Sequence, residues 1–78
     1  MPDKTYKLID LVGVSTNSID DAISGAVKQA AKSLKGLDWF EVGEIRGLVQ
    51  GGKVKEFQVK LKLGFRILSA AEMKSAGS

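Results

Sequence analysis

From Phe57 to Ile67 the chain alternates without a break. Phe57, Val59, Leu61, Leu63, Phe65 and Ile67 share one parity; Glu56, Gln58, Lys60, Lys62, Gly64 and Arg66 share the other. A period of two is that of a strand with one face buried and one face wet. It predicts a strand over Val54–Leu68. Just before it, Gln50-Gly51-Gly52-Lys53 reads as a tight hairpin turn, its two glycines supplying positive φ. Upstream of the turn, Asp38–Val49 reads as the partner strand. Phe40, Val42 and Leu48 lie on one parity and Trp39, Ile45 and Val49 on the other. Gly43 and Gly47 inside this strand point to a bulge or a close backbone approach.

The period changes between Ser18 and Gly36. Ile19, Ala22, Ile23, Ala26, Val27, Ala30, Ala31 and Leu34 recur at helical spacing, an apolar stripe about four turns long. Ser18 is the expected N-cap, with Asp21 as a short capping-box partner and Asp20 beside it at the positive helix end. Lys28, Lys32 and Lys35 lie off the stripe, and Gly36 is the expected C′ residue. Before the helix, Tyr6–Val14 is β-rich with apolar residues on both parities: Tyr6, Leu8, Val12 and Val14 against Ile9 and Leu11. That predicts a first strand partly covered on both faces. Ser69–Ser78, SAAEMKSAGS, shows no pairing pattern and reads as a frayed or short-helical, flexible tail after a single domain over residues 1–68.

The order is strand, helix, strand, strand. A helix returning between the first two strands points them the same way, and the hairpin reverses the third. If the third strand also pairs with the first, the sheet is wholly antiparallel in the order 1-3-2. The long alternating strand then sits at its centre, with one helix on the inner face. The expected class is α+β, a β-α-β-β chain with a three-stranded antiparallel sheet and one helix.

Composition narrows what such a domain can do. A chain of 78 residues buries only about 60–65 % of its unfolded surface. Chains this small usually need added support. With no Cys and no His there is no disulfide, no thiolate or imidazole metal site and no histidine base. Oligomerisation is the remaining source of stability. Absence of Cys, an N-terminus (MPDKTYK) without a signal-like run, and no apolar stretch of the ~20 residues a membrane helix needs fit a cytoplasmic protein. A net charge of +3 suits phosphate-bearing ligands but is too small to argue for nucleic acid by itself.

No catalytic constellation emerges. There is no phosphate loop leading into a helix, Ser15 has no base, and Glu41 and Glu44 fall on opposite strand faces unless a bulge intervenes. The chemistry instead gathers on the outer face of the sheet. If Phe40 is core, Trp39 joins Gln58, Lys60, Lys62 and Arg66 there. An exposed Trp marks a subunit contact or a planar ligand, and pattern alone leaves both open. Gln58 carries donors and an acceptor side by side, a match for the edge of a heterocycle. Arg46 is either a surface cation or a phosphate fork. Basic sheet residues with one aromatic also fit a module that binds single-stranded nucleic acid, and a purely structural oligomer anchored by Trp39 is a third reading.

Several segments together, LVGVS, the Ala-rich helix, LDWFEVGEIRG, the hairpin and EFQVKLKLGFR, resemble the dodecins, small flavin-binding proteins of bacteria and archaea. The resemblance runs from about Tyr6 to Arg66. Val14 stands where the family usually has Thr, a change in a cap region. The resemblance implies a sheet wrapped around its helix and a hollow homododecamer. Flavin (FMN, riboflavin or FAD) would be sandwiched between tryptophans of symmetry-related subunits. It places Trp39 and Gln58 on the flavin ring, Arg46 beside the flavin tail and Asp38 in the same pocket. It also makes Tyr6, Lys32 and Arg66 candidates for coenzyme A. The implied role is flavin storage and quenching of flavin photochemistry, without enzymatic turnover.

Overall fold

A computed structural model describes residues 4–67. The elements are β1 (Tyr6–Ser15), α1 (Ile19–Ala31), β2 (Leu37–Gln50) and β3 (Lys53–Arg66), and the sheet order is β1-β3-β2 with both pairings antiparallel. The expected topology is therefore the observed one. The strand ends differ by one or two residues from the sequence reading. Leu68 and the tail at 69–78 lie outside the described residues.

The turn between β2 and β3 has the expected chemistry. Gln50 pairs with Lys53, and Gly51 and Gly52 take φ of 58° and 75°. Two consecutive positive φ values make the two-residue turn whose twist matches the strands it joins. At the other end of the sheet, Ser15 organises the entry to α1. Its hydroxyl donates to Asp21 Oδ2 at 2.7 Å and accepts from the Asn17 backbone N–H at 2.9 Å. Ser18 caps the helix, its Oγ accepting from the Asp21 N–H at 3.0 Å. Ser15 is thus a buried structural hub whose carboxylate partner is Asp21.

The helix is shorter than its apolar stripe. It ends at Ala31, after which Lys32 and Ser33 donate to carbonyls three residues back, Gln29 and Ala30. Those bonds tighten the last turn toward a 3₁₀ path. Gly36, with φ of 77°, then redirects the chain, and its carbonyl accepts from the Arg66 N–H at 2.9 Å. Leu34 still packs on the core, but from this turn rather than from the helix.

α1 lies over β1 and β3. The residues fully enclosed are Ala22, Ala30, Val59, Leu61 and Leu63, with Ile9, Leu11, Ile19, Ile23, Ala26 and Val27 packed around them. Closest approach is at Gly13. A Cβ there would overlap the Ala22 carbonyl oxygen and lie 2.9 Å from the carbonyl carbon. Glycine is therefore what lets the helix backbone rest on β1.

Trp39, Phe40 and Val42 take the faces the sequence reading gave them, but Ile45 and Leu48 change faces, Leu48 standing opposite the outward Glu56. The burial of this strand also differs. Phe40, Val42 and Ile45 pair with Leu63, Leu61 and Val59, so all three point to the helix side. Ile45 joins this side because the register shifts between Val42 and Ile45, the bulge that Gly43 foreshadowed. Yet Phe40 and Ile45 are each 50 % exposed. Within one chain Phe40 and Val42 are not enclosed core; they face the right way with little on top of them. The β2–β3 hairpin also projects past the helix and leaves Leu48, Val49 and Val54 exposed.

Gly13→Ala tests the helix–sheet contact. Overpacking of a tight site costs about 1–3 kcal/mol. At fixed protein concentration the thermal midpoint, followed by circular dichroism, drops by several degrees or more.

Candidate functional site

The outer face is read row by row from β3. Its even positions carry Glu56, Gln58, Lys60, Lys62, Gly64 and Arg66. Gln58, Lys62 and Gly64 have partners on both β1 and β2, Lys60 and Arg66 on β1 alone, and Glu56 on β2 alone. Gly64 is the break in this series. Leu8 lies opposite it on β1 and Trp39 opposite it on β2. A Cβ on Gly64 would sit within 2.7 Å of three indole atoms at once, Cδ2, Cε2 and Cζ2. Near-equal approach to three ring atoms means the indole lies face-on over the Gly64 backbone. One face of the ring is against the sheet; the side chain remains 42 % exposed. Trp39 is an outward aromatic platform, as its parity predicts, and Gly64 is the cradle that lets it lie flat. Sequence reasoning passed over Gly64. The signal was there: it is the one position without a side chain in a row of long polar ones.

The platform has a second wall. The Tyr6 ring centroid is 6.1 Å from that of Trp39, with the planes tilted by 45°. The Tyr6 hydroxyl donates to Asp38 Oδ2 at 2.5 Å, a short charge-assisted bond across the width of the sheet. The register shift between Leu37 and Trp39 places Asp38 within reach. Arg66 is directly opposite Tyr6. The hydrogen bond to Asp38, with a smaller contribution from desolvation, raises the Tyr6 pKa above 10.0; Arg66 opposes the rise.

Six residues along β3 from Gly64, about 20 Å at ~3.3 Å per residue, a second polar cluster forms. Arg46 is opposite Gln58, and Arg46 Nε donates to Gln58 Oε1 at 3.0 Å. Gln58 Nε2 donates to Glu56 Oε2 at 3.2 Å. A guanidinium only donates and a carboxylate only accepts, so these partners dictate which way the amide points.

The candidate residues thus fall into two groups on one face: Tyr6, Asp38, Trp39 and Arg66 at one end, and Arg46 with Gln58 at the other. Lys32 belongs to neither. It sits at the end of α1, on the other side of the sheet, with its ammonium 3.4 Å from Gln29 Oε1.

Between the two groups, charge fills the rows. Lys62 and Asp10 approach to 3.6 Å with both side chains largely in water, a pair worth at most about 1 kcal/mol. The bulge in β2 corrects one expectation: Glu41 and Glu44 line the same shallow depression with Asp10, Lys60 and Lys62 rather than facing apart. Among the described residues no group of three or more His, Cys, Asp or Glu is placed to hold a metal ion, and no helix is long and apolar enough to cross a membrane.

Comparison with known proteins settles the family. The dodecin family model matches residues 5–68. The chain belongs to the dodecin family. A dodecin of Thermus thermophilus is 50 % identical over 64 residues, which cover 82 % of this chain and 93 % of that one. The structure of dodecin from Streptomyces coelicolor superposes with a TM-score of 0.83 at 43 % identity, covering 90 % of this chain and all of that one. A calcium dodecin from Mycobacterium tuberculosis is more distant, with a TM-score of 0.71 at 30 % identity over 85 % of this chain and 94 % of that one. The β-α-β-β fold of this chain is the dodecin fold.

Tyr6 is the sole tyrosine, so tyrosinate absorbance reports it alone. Because its folded pKa is raised, the Tyr6–Asp38 bond is fully present below pH 10 and is lost as pH rises through the folded value. The titration midpoint lies above 10.0 in the native protein and moves down in Asp38→Asn.

Proposed function

We propose that this dodecin-family chain assembles into a homododecamer that binds flavin, stores it and quenches its photochemistry. The observation that carries this reading is the Trp39 platform. An indole held flat by Gly64, with its other face outward, suits stacking on a planar heterocycle. Offset stacking adds roughly 0.5–1.5 kcal/mol per aromatic pair beyond area burial. Gln58 supplies an amide for the pyrimidine edge of the ring and Arg46 a cation for the ribityl tail or phosphate of FMN. Asp38 borders the ring site.

The geometry also supports a site built from more than one subunit. Trp39 and Gln58 share a face but are about 20 Å apart along β3. One flavin ring cannot span both within a chain. A second subunit packed on this face about a two-fold axis brings its Gln58 toward the first subunit's Trp39, and repeats the arrangement by symmetry. The half-open inner face of β2 and the projecting hairpin supply apolar surface for the other contacts of such a particle.

A bound flavin supplies a light-absorbing redox ring. Trp39, stacked on it, is placed to give an electron to the excited ring and so quench it. With flavins bound in pairs between symmetry-related tryptophans, the stack covers both ring faces, which bars a substrate and favours binding over turnover. Arg46 and Glu56 hold the Gln58 amide in one orientation, so the ligand meets a preset donor and acceptor rather than a free rotor. Coenzyme A is a second ligand reading. Tyr6 and Arg66 are cross-strand neighbours, whereas Lys32 is on the helix side, so a ligand touching all three draws Lys32 from another subunit.

Titration of the purified protein into riboflavin or FMN tests the reading. Flavin fluorescence is quenched to saturation, and light scattering gives a particle of twelve chains. Trp39→Ala abolishes quenching in a folded protein. If folded wild-type protein leaves micromolar flavin fully fluorescent, the flavin assignment is wrong. Gly64→Ala separates the platform from mere presence of the indole. Its methyl lifts Trp39 off the sheet and weakens flavin binding several-fold to about tenfold, the scale of one lost stacking contact.

A further inference from the structure

The neighbours of Trp39 suggest more than a stacking surface. One of them is a phenol, and that phenol already donates its proton to a carboxylate. A phenol is hard to oxidise if it must keep its proton, and far easier if the proton can leave as the electron does. Tyr6 has that exit: its hydroxyl is 2.5 Å from Asp38 Oδ2, while its ring centroid is 6.1 Å from that of Trp39. An electron donor, a proton acceptor and the indole are thus in contact in one cluster. Nothing in the packing requires this combination. A phenylalanine would fill the same space beside the indole, and the hydroxyl–carboxylate pair lies at the surface, where it adds little to stability.

We propose that Tyr6 is a secondary electron donor that refills oxidised Trp39, with Asp38 accepting the phenolic proton. The role of this step rests on the flavin reading above, but the step itself does not require a bound ligand. After Trp39 has lost one electron it is a radical cation. One electron passes from Tyr6 to Trp39, restoring the neutral indole. As it leaves, the phenolic O–H bond breaks and the proton moves to Asp38 Oδ2. The products are a neutral Tyr6 radical and a neutral Asp38 carboxylic acid. Return of the electron taken from Trp39 reverses the cycle: Tyr6 regains the electron, and the proton moves back from Asp38. No atom or electron is gained or lost overall. The consequence is protective. The hole is moved off the indole, which contacts the ligand, to a residue in the row behind it. Trp39, as a radical, has less time to react irreversibly with oxygen or with its ligand.

The chain has one Trp and one Tyr, so each radical has a unique address. Trp39 is oxidised in flavin-free oligomer with a soluble ruthenium photo-oxidant, and transient absorption follows both radicals. In the wild type, the Tyr6 radical rises as the Trp39 radical decays. In Tyr6→Phe, which keeps the ring and the packing, the Trp39 radical persists. Asp38→Asn slows Tyr6 radical formation about tenfold or more, on the scale of one charge-assisted hydrogen bond. It also reduces the slowing seen on transfer to heavy water. Circular dichroism confirms that each variant is folded. The proposal is overturned if no Tyr6 radical appears in the wild type, or if Tyr6→Phe leaves the Trp39 radical lifetime unchanged. It is also overturned if Trp39→Phe forms the Tyr6 radical at the wild-type rate, since the electron then bypasses the indole. A protein that shows the transfer but never quenches flavin would reject the flavin reading and leave the relay standing. One that quenches flavin without forming the Tyr6 radical would do the reverse.

Discussion

A thirteen-residue helix is about 20 Å long, and a fourteen-residue strand about 46 Å. One such helix cannot cover a sheet built from two such strands, and the rest of the molecule follows from that mismatch. α1 seats itself where the approach is closest, over Gly13, and encloses the middle of β3. What it cannot reach stays open: the inner side of β2 and the whole projecting hairpin. The enclosed set has only three large side chains, Leu61, Leu63 and Val59. A core of that size gives a marginal domain on its own. The exposed apolar surface of β2 is the weakness of the isolated chain.

The same mismatch leaves the outer face of the sheet without a helix. Side chains there stand in cross-strand rows at fixed spacing, so their chemistry depends on register. Gly64 turns one row into a cradle for an indole. The next row toward the hairpin carries Asp10, Lys62 and Glu41. Two rows beyond that, Arg46, Gln58 and Glu56 form a short polar chain. The sheet works as a ruler. It sets the aromatic platform and the Gln58 amide about 20 Å apart along one strand.

Flat aromatic sites on open sheets face an entropic problem, because an exposed indole samples several rotamers. Here Gly64 removes the obstruction beneath the ring, and Tyr6, tethered to Asp38, stands beside it. Gln58 is restrained in the same manner by two partners of opposite charge. Trp39 is thus held by neighbours on β3 and β1, and Gln58 by Arg46 on β2 and Glu56 on its own strand, so neither side chain is a free rotor.

Much of this was legible in local pattern. The alternation of β3 identified the central strand, the stripe from Ile19 onward identified the helix, and Gly51-Gly52 identified the hairpin. Together they led to the order β1-β3-β2 on the condition that β3 pairs with β1, which it does, and sent Trp39 and Phe40 to opposite faces. Periodicity carries such information because a side chain's face depends only on its own strand. Three features lay beyond it. The helix stops at Ala31 although the apolar stripe continues, because Lys32 and Ser33 bond to carbonyls three residues back and the chain then turns at Gly36. The bulge after Val42 brings Glu41 and Glu44 to one side, since two residues there oppose one on β3. The contact of Tyr6 with Asp38 joins residues 32 positions apart. It exists only once β3 has set the spacing between the two outer strands. Sequence alone determined the elements and sent Trp39 and Phe40 to opposite faces; register and the bulge, properties of paired strands, decided where Ile45 and Leu48 point and which outward residues meet.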